Sequence, residues 1–100
     1  MKIKLTEDEI FATIAAGVAE ALRVDAAKIS MASRLFLDLG AESIDILDIR
    51  FRIEHALGFK IDQAALIRSL GEGLSAGQIQ EQLTLGSLVA YVRQQLQQQP

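Results

Sequence analysis

Apolar and polar positions alternate with helical spacing along most of the chain. Ile10, Phe11, Ile14, Val18 and Leu22 recur at intervals of three and four and predict a helix over 7–23. Thr6 and Glu9 stand three apart at its start, the spacing of a reciprocal capping box, with Leu5 and Ile10 placed to staple the entry. Gly17 inside this helix costs about 1 kcal/mol relative to alanine, so it is expected to mark a close packing contact. Residues 24–42 read as a long connection with one turn from Asp25 to Ile29. The connection carries a dense apolar cluster, Leu35, Phe36, Leu37 and Leu39, expected to plug one end of a bundle, and Gly40 ends it. A second helix spans 43–57 and stops at Gly58. Asp62 is placed to cap a helix over 63–70, closed by Gly71. Ser75 and Gln78 form another capping box for a short helix to about Leu83. Thr84 opens the last helix, whose Leu85, Leu88, Val89, Val92 and Leu96 share a face.

No segment has strand periodicity, so the expected fold is all-α: four helices plus one short extra helix in an up-and-down bundle. The 100 residues form one domain, 1–100. Its glutamine-rich tail, 94–100, reads as the fraying end of the last helix.

The helix over 43–57 has an unusual pattern. At about 100° per residue, Ile46, Ile49, Ile53 and Leu57 fall on one side, and Ile44, Leu47 and Phe51 on the other. A surface helix needs one apolar stripe. Two opposed stripes predict that one packs inward while the other is offered to a partner.

Composition narrows the chemistry. Half the residues are apolar and the net charge is −3, from 13 acidic and 10 basic side chains. That balance excludes the basic stripe of a nucleic-acid binder. The absence of cysteine removes thiolate chemistry and disulfides, and one histidine, His55, does not make a metal site. No apolar run reaches the roughly 20 residues of a membrane span, and an acidic Thr6-Glu7-Asp8-Glu9 follows the first five residues where a secretory signal would be apolar. A cytoplasmic monomer is the expectation. Ser43, Asp48 and His55 do not make a catalytic triad, since about three helical turns separate Ser43 from His55. The carboxylates are scattered along helix flanks, so no enzyme activity is expected. Ser43 alone has a chemically distinctive place. It opens a helix, where unpaired amides and the positive dipole end stabilise a phosphate, although capping is the commoner role of a serine there.

Asp38-Leu39-Gly40-Ala41-Glu42-Ser43-Ile44-Asp45 resembles the D-L-G-x-D-S-L motif of acyl carrier proteins. The apolar Leu35-Phe36 before it, the Phe59-Lys60-Ile61 linker and the closing Thr84 to Val92 segment extend the likeness in the same order. The resemblance implies that Ser43 is the attachment point for 4'-phosphopantetheine, delivered from coenzyme A by a phosphopantetheinyl transferase with Mg²⁺ at the transferase's own site. Acyl groups would ride on the arm as thioesters and be presented to acyl-transferring and acyl-modifying enzymes of fatty-acid, lipid or polyketide synthesis. The second helix would meet those partners through Ile44, Leu47 and Phe51, rimmed by Glu42, Asp45, Asp48 and Glu54. Ile46, Ile49 and Ile53 would line the acyl pocket. The chain departs from the family pattern at Glu42 and Ile44, in the basic Arg50 and Arg52, at Asp62 where a proline is common, and in a longer 62–83 segment. That segment is similar to one in specialised carriers serving long-chain acyl transfer to lipid A. Two other readings stand beside this one: a peptidyl or aryl carrier domain of a nonribosomal pathway, and a non-carrier helical adaptor that docks through the exposed face of 43–57.

Overall fold

The computed structural model describes residues 5–98. Five α-helices follow one another: α1 (Glu7–Leu22), α2 (Ser43–Leu57), α3 (Gln63–Leu70), α4 (Ala76–Gln82) and α5 (Leu85–Gln98), with a 3-10 turn at Ala26–Lys28 inside the first connection. No strand is present among the described residues, only an isolated bridge between Arg34 and Thr84. The all-helical bundle is the architecture expected from the spacing.

The caps explain the boundaries. The Thr6 amide donates to Glu9 Oε1 at 3.0 Å and the Glu9 amide to Thr6 Oγ1 at 3.1 Å, the reciprocal box that starts α1. The same arrangement at Ser75 and Gln78 starts α4, at 2.8 and 3.2 Å. Asp62 accepts from the amides of Ala64 and Ala65 to start α3. Thr84 exchanges bonds with Ser87 to start α5. The first helix ends at Leu22, one residue earlier than the spacing suggested, because Arg23 turns into the left-handed region at φ 57°. At the other end, α5 runs through Gln98 with Leu96 buried. The described part of the glutamine-rich tail, 94–98, is thus helical, with Leu96 packed on the core. Gln99 and Pro100 lie outside the described residues.

The core is built from the inward faces of α1, α2 and α5. Ile10, Ile14, Val18, Ile53, Leu85, Val89 and Val92 are almost wholly removed from solvent. Helix α1 packs against both α2 and α5, and α3 packs against α5 and α4. Gly17 sits where α1 meets α2, but a Cβ there would lie 3.6 Å from Arg52 Cβ, an ordinary contact, so the close approach expected from this glycine is not required by the packing. Arg52 spans the same junction, bonding Glu20 at 2.8 Å and Asp48 at 3.0 Å.

The apolar connection is only partly a plug. Leu35 is buried and Phe36 and Leu39 are half-buried against the core, whereas Leu37 is 50% exposed. Leu37 lies in the turn closed by the Asp38 and Leu39 amides on Arg34 O, and spacing in an irregular segment does not reveal which side chain such a turn exposes. The segment is fixed instead by backbone bonds to the start of α5. The Leu35 amide donates to Leu83 O, the Leu85 amide to Ser33 O and the Gly86 amide to Met31 O, at 2.8–3.0 Å. A Cβ on Gly86 would come within 3.1 Å of Met31 O, so a larger residue would press on that backbone and glycine suits the close approach.

Candidate functional site

Each residue of the Asp38–Ser43 segment has an identifiable task. Asp38 accepts from the Arg34 amide at 2.9 Å and from its guanidinium at 3.0 and 2.9 Å, closing a tight loop. The Arg34 side-chain bonds, then its backbone amide, hold the Asp38 carboxyl below its ordinary value. Gly40 takes φ +74°, a conformation that costs other residues. Ala41 is buried and donates to Leu35 O at 2.9 Å, so a small side chain is required. Together these steer the chain into α2 at a fixed angle.

Glu42, not Ser43, is the N-cap of α2. Its amide donates to Asp45 Oδ2 at 2.8 Å, and its carbonyl accepts from the amides of Asp45 and Ile46. Ser43 thus occupies the first helical position, exposed to solvent, and its hydroxyl is left out of the capping bonds. The usual structural task of a serine at this place has been handed to its neighbours. What remains is an accessible hydroxyl beside first-turn amides that lack intrahelical partners, at the positive end of a 15-residue helix.

Ser43 also borders a cavity of about 130 Å³, walled by Phe36, Ile46, Leu66, Leu70 and Ile79. An inner cavity of about 30 Å³ adjoins it, sharing Ile46, Gln63, Leu66 and Leu83 and reaching Ile49, Ile53 and Leu88. Ile46, Ile49 and Ile53 therefore lie together on one apolar path that begins at Ser43. The contribution of α3 and α4 to this wall, through Leu66, Leu70 and Ile79, was not foreseen from spacing. Their apolar positions do recur at helical intervals, and that was the available signal.

The opposite stripe of α2 is exposed as expected: Ile44 at 72%, Leu47 at 42% and Phe51 at 54%. The four acidic residues expected to rim it also have intramolecular surroundings of their own. Glu42 is exposed, but Asp45 serves the cap and Asp48 pairs with Arg52. Glu54 Oε2 accepts the Ile61 amide at 2.7 Å, pinning the linker between α2 and α3. That long-range bond gives Glu54 a structural task no local pattern predicts, beside the partner-facing one expected of it. His55 is exposed and, among the described residues, no cluster that could hold a metal ion occurs. No helix among the described residues is long and apolar enough to cross a membrane.

These features fit a prosthetic group anchored through phosphate: a free hydroxyl at a helix start, donors beside it and an apolar path leading away. Comparison with known proteins agrees. Residues 12–72 match the family described as the phosphopantetheine attachment site. An acyl carrier protein of Thermotoga maritima is 31% identical over 91 residues, which span 91% of this chain and 96% of the relative. An acyl carrier protein of Helicobacter acinonychis is 34% identical over 65 residues, 63% of this chain and 83% of the relative. One from Treponema pallidum is 41% identical over 54 residues, 54% of this chain and 69% of the relative. The chain belongs to the acyl carrier protein family, and its function is that of a carrier using 4'-phosphopantetheine.

Proposed function

We propose that Ser43 is the attachment residue and that the chain presents acyl thioesters to successive enzymes without catalysing a step itself. The observation that carries this is the exposed Ser43 hydroxyl, excluded from the cap and bordering the apolar path. Ser43 Oγ attacks the phosphorus that bears the pantetheine in coenzyme A. A new oxygen–phosphorus bond forms, the adenosine bisphosphate half leaves, and the hydroxyl proton passes to a base of the phosphopantetheinyl transferase. When bound, the arm supplies the terminal thiol that this cysteine-free chain lacks. The amides at the start of α2 then stabilise the phosphodiester charge. Ile46, Ile49 and Ile53 receive the apolar end of the cargo, while Ile44, Leu47 and Phe51 give transferase and acyl-modifying enzymes a small apolar anchor. Apolar anchors of this size suit brief encounters with many partners. The cytoplasm, with its coenzyme A, is the setting this requires.

The α3–α4 segment supports a specialised member of the family, because it supplies Leu66, Ile67, Leu70 and Ile79 to the outer cavity. Cargo with longer chains would have these helices as its cover. Incubating the protein with coenzyme A, Mg²⁺ and a promiscuous transferase, then measuring intact mass, tests the attachment. One phosphopantetheinyl increment is expected, absent in Ser43→Ala. An undiminished increment in Ser43→Ala, or none in the folded native chain, refutes it. Loading with acyl chains of rising length should raise the melting temperature progressively if cargo enters the fold.

A further inference from the structure

Gln63 is the first residue of α3, exposed, and it borders both the outer and the inner cavity. Arg50 on α2 donates a terminal N–H to Gln63 Oε1 at 3.1 Å, and its guanidinium rests over the Phe51 ring, 5.2 Å from the centroid. A guanidinium carries donors only, so the amide must turn its oxygen toward Arg50. The N–H groups of Gln63 Nε2 are thereby left over, and among the described residues they meet no protein acceptor. The outer cavity gives them a use. Of the side chains bordering it, only Ser43 and Gln63 are polar. Ser43 Oγ is spent once a phosphodiester forms on it. A carbonyl laid against the remaining wall loses water and finds no side-chain donor except Gln63, and a carbonyl left unmatched there is costly.

We infer that Gln63 is a binding residue for the prosthetic arm, donating from Nε2 to a carbonyl oxygen of the pantetheine laid along the outer cavity, and that Arg50 is a positioning residue that acts through it. The inference rests on the attachment reading above, since the arm must begin at Ser43 to border the same cavity as Gln63. Tethering keeps the arm at a high effective concentration, so a single hydrogen bond is enough to bias where it rests. The bond is indifferent to cargo, because the arm's own carbonyls accompany every acyl group.

The test loads the native protein from octanoyl-coenzyme A whose pantetheine amides carry ¹⁵N, with intact mass confirming the product. Relative to the unloaded chain, a Gln63 Nε2 proton should move downfield in ¹H–¹⁵N spectra. At least one arm amide should have an order parameter above about 0.6, the upper edge of flexible segments. Gln63→Glu keeps an oxygen for Arg50 and removes both Nε2 donors. Its arm amides should all fall below that value, while the melting temperature of the unloaded variant does not drop, a separation that a merely structural role for Gln63 would not produce. Arg50→Met should loosen the arm as well, because the amide then turns freely; native order there overturns the part given to Arg50. If a variant folds poorly, the Nε2 shift in the native chain decides the matter. Complete loading with an unmoved Nε2 signal, or an arm held as firmly in Gln63→Glu as in the native chain, overturns the inference alone. Failure to load at Ser43 overturns the attachment reading and the inference with it.

Discussion

Ile53 and Phe51 stand two residues apart on α2 yet face opposite surroundings, and that contrast fixes what their removal should do. Ile53 is 1% exposed and borders the inner cavity. Ile53→Ala deletes three carbons, about 2.4 kcal/mol of transfer free energy at 0.8 kcal/mol each. It also enlarges a cavity that already exists and has little means of collapse, bringing the total to about 3 kcal/mol. For a domain of this size the melting temperature should fall by about 12–24 °C. Phe51 is 54% exposed. Phe51→Ala loses a modest part of its buried area and the Arg50 guanidinium stacked 5.2 Å from its ring centroid. Alanine's better helix propensity recovers part of that, leaving a loss of about 1 kcal/mol or less. Urea unfolding at neutral pH, with the slope checked for constancy, measures both. Transferase kinetics give the complementary reading: Phe51→Asp should lower kcat/KM for loading at least tenfold, while Ile53→Ala, kept below its lowered melting point, should load at close to the native rate. Equal destabilisation by Ile53→Ala and Phe51→Ala would show that the outer stripe is core, and the division of α2 into a packed face and a docking face would fail.

Acid should loosen the loop before α2. The Arg34 bonds lower the Asp38 pKa from its ordinary 3.8, so the folded state binds this proton less readily than the unfolded state. The resulting stability is present above about pH 4 and lost as pH falls through the lowered folded value. Asp38→Asn should therefore flatten the urea midpoint against pH below about pH 4; an unchanged acid limb would refute the clamp. Glu9, lowered by its Thr6 bonds, contributes in the same window and remains in that variant, so a residual slope is expected. Glu54→Ala should cost about 1.5–2 kcal/mol by removing the charged acceptor of the Ile61 amide, with Glu54→Gln recovering much of it. If the Ile61 bond is Glu54's main task, neither should change partner affinity once folded, and an affinity loss at full stability would show that it also serves the docking rim. Amide exchange should be faster in α3 and α4 than in α1 and α5, because α4 buries no residue and α3 only Leu66; uniform protection would contradict this.

The parts of the fold that rest on local periodicity and short-range caps could be read from the chain. Thr6–Glu9, Ser75–Gln78 and Asp62 set helix starts through bonds spanning two or three residues. The two stripes of α2 needed only the angle per residue. The tie between residues 31–35 and 83–86 could not be read, because it pairs backbone groups about fifty residues apart with no side-chain signature except Gly86. The same holds for Glu54, whose partner lies in the next linker. At the candidate site, Ser43 was visible through the motif around it. Its release from capping was not, since that depends on Glu42 and Asp45 taking the cap between them.

These two kinds of contact divide the molecule by rigidity. Ser43 is approached from one side through the Arg34–Asp38 clamp, the Gly40 turn and buried Ala41, and that loop is bonded to the start of α5, which buries Leu85, Leu88 and Val89. Its position is therefore tied to the most buried part of the core. The cavity beside it is walled on one flank by α2, which shares that rigidity, and on the other by α3 and α4, which bury almost nothing and are joined through Gly71-Glu72-Gly73. A carrier has two opposed requirements: its attachment point must present the same geometry to every partner, and its cavity must admit and release cargo. On the proposed reading, α2 and the motif loop would meet the first and the thinly packed α3–α4 cover the second. Ile46, half-buried on α2, borders both the outer and the inner cavity and so joins the two.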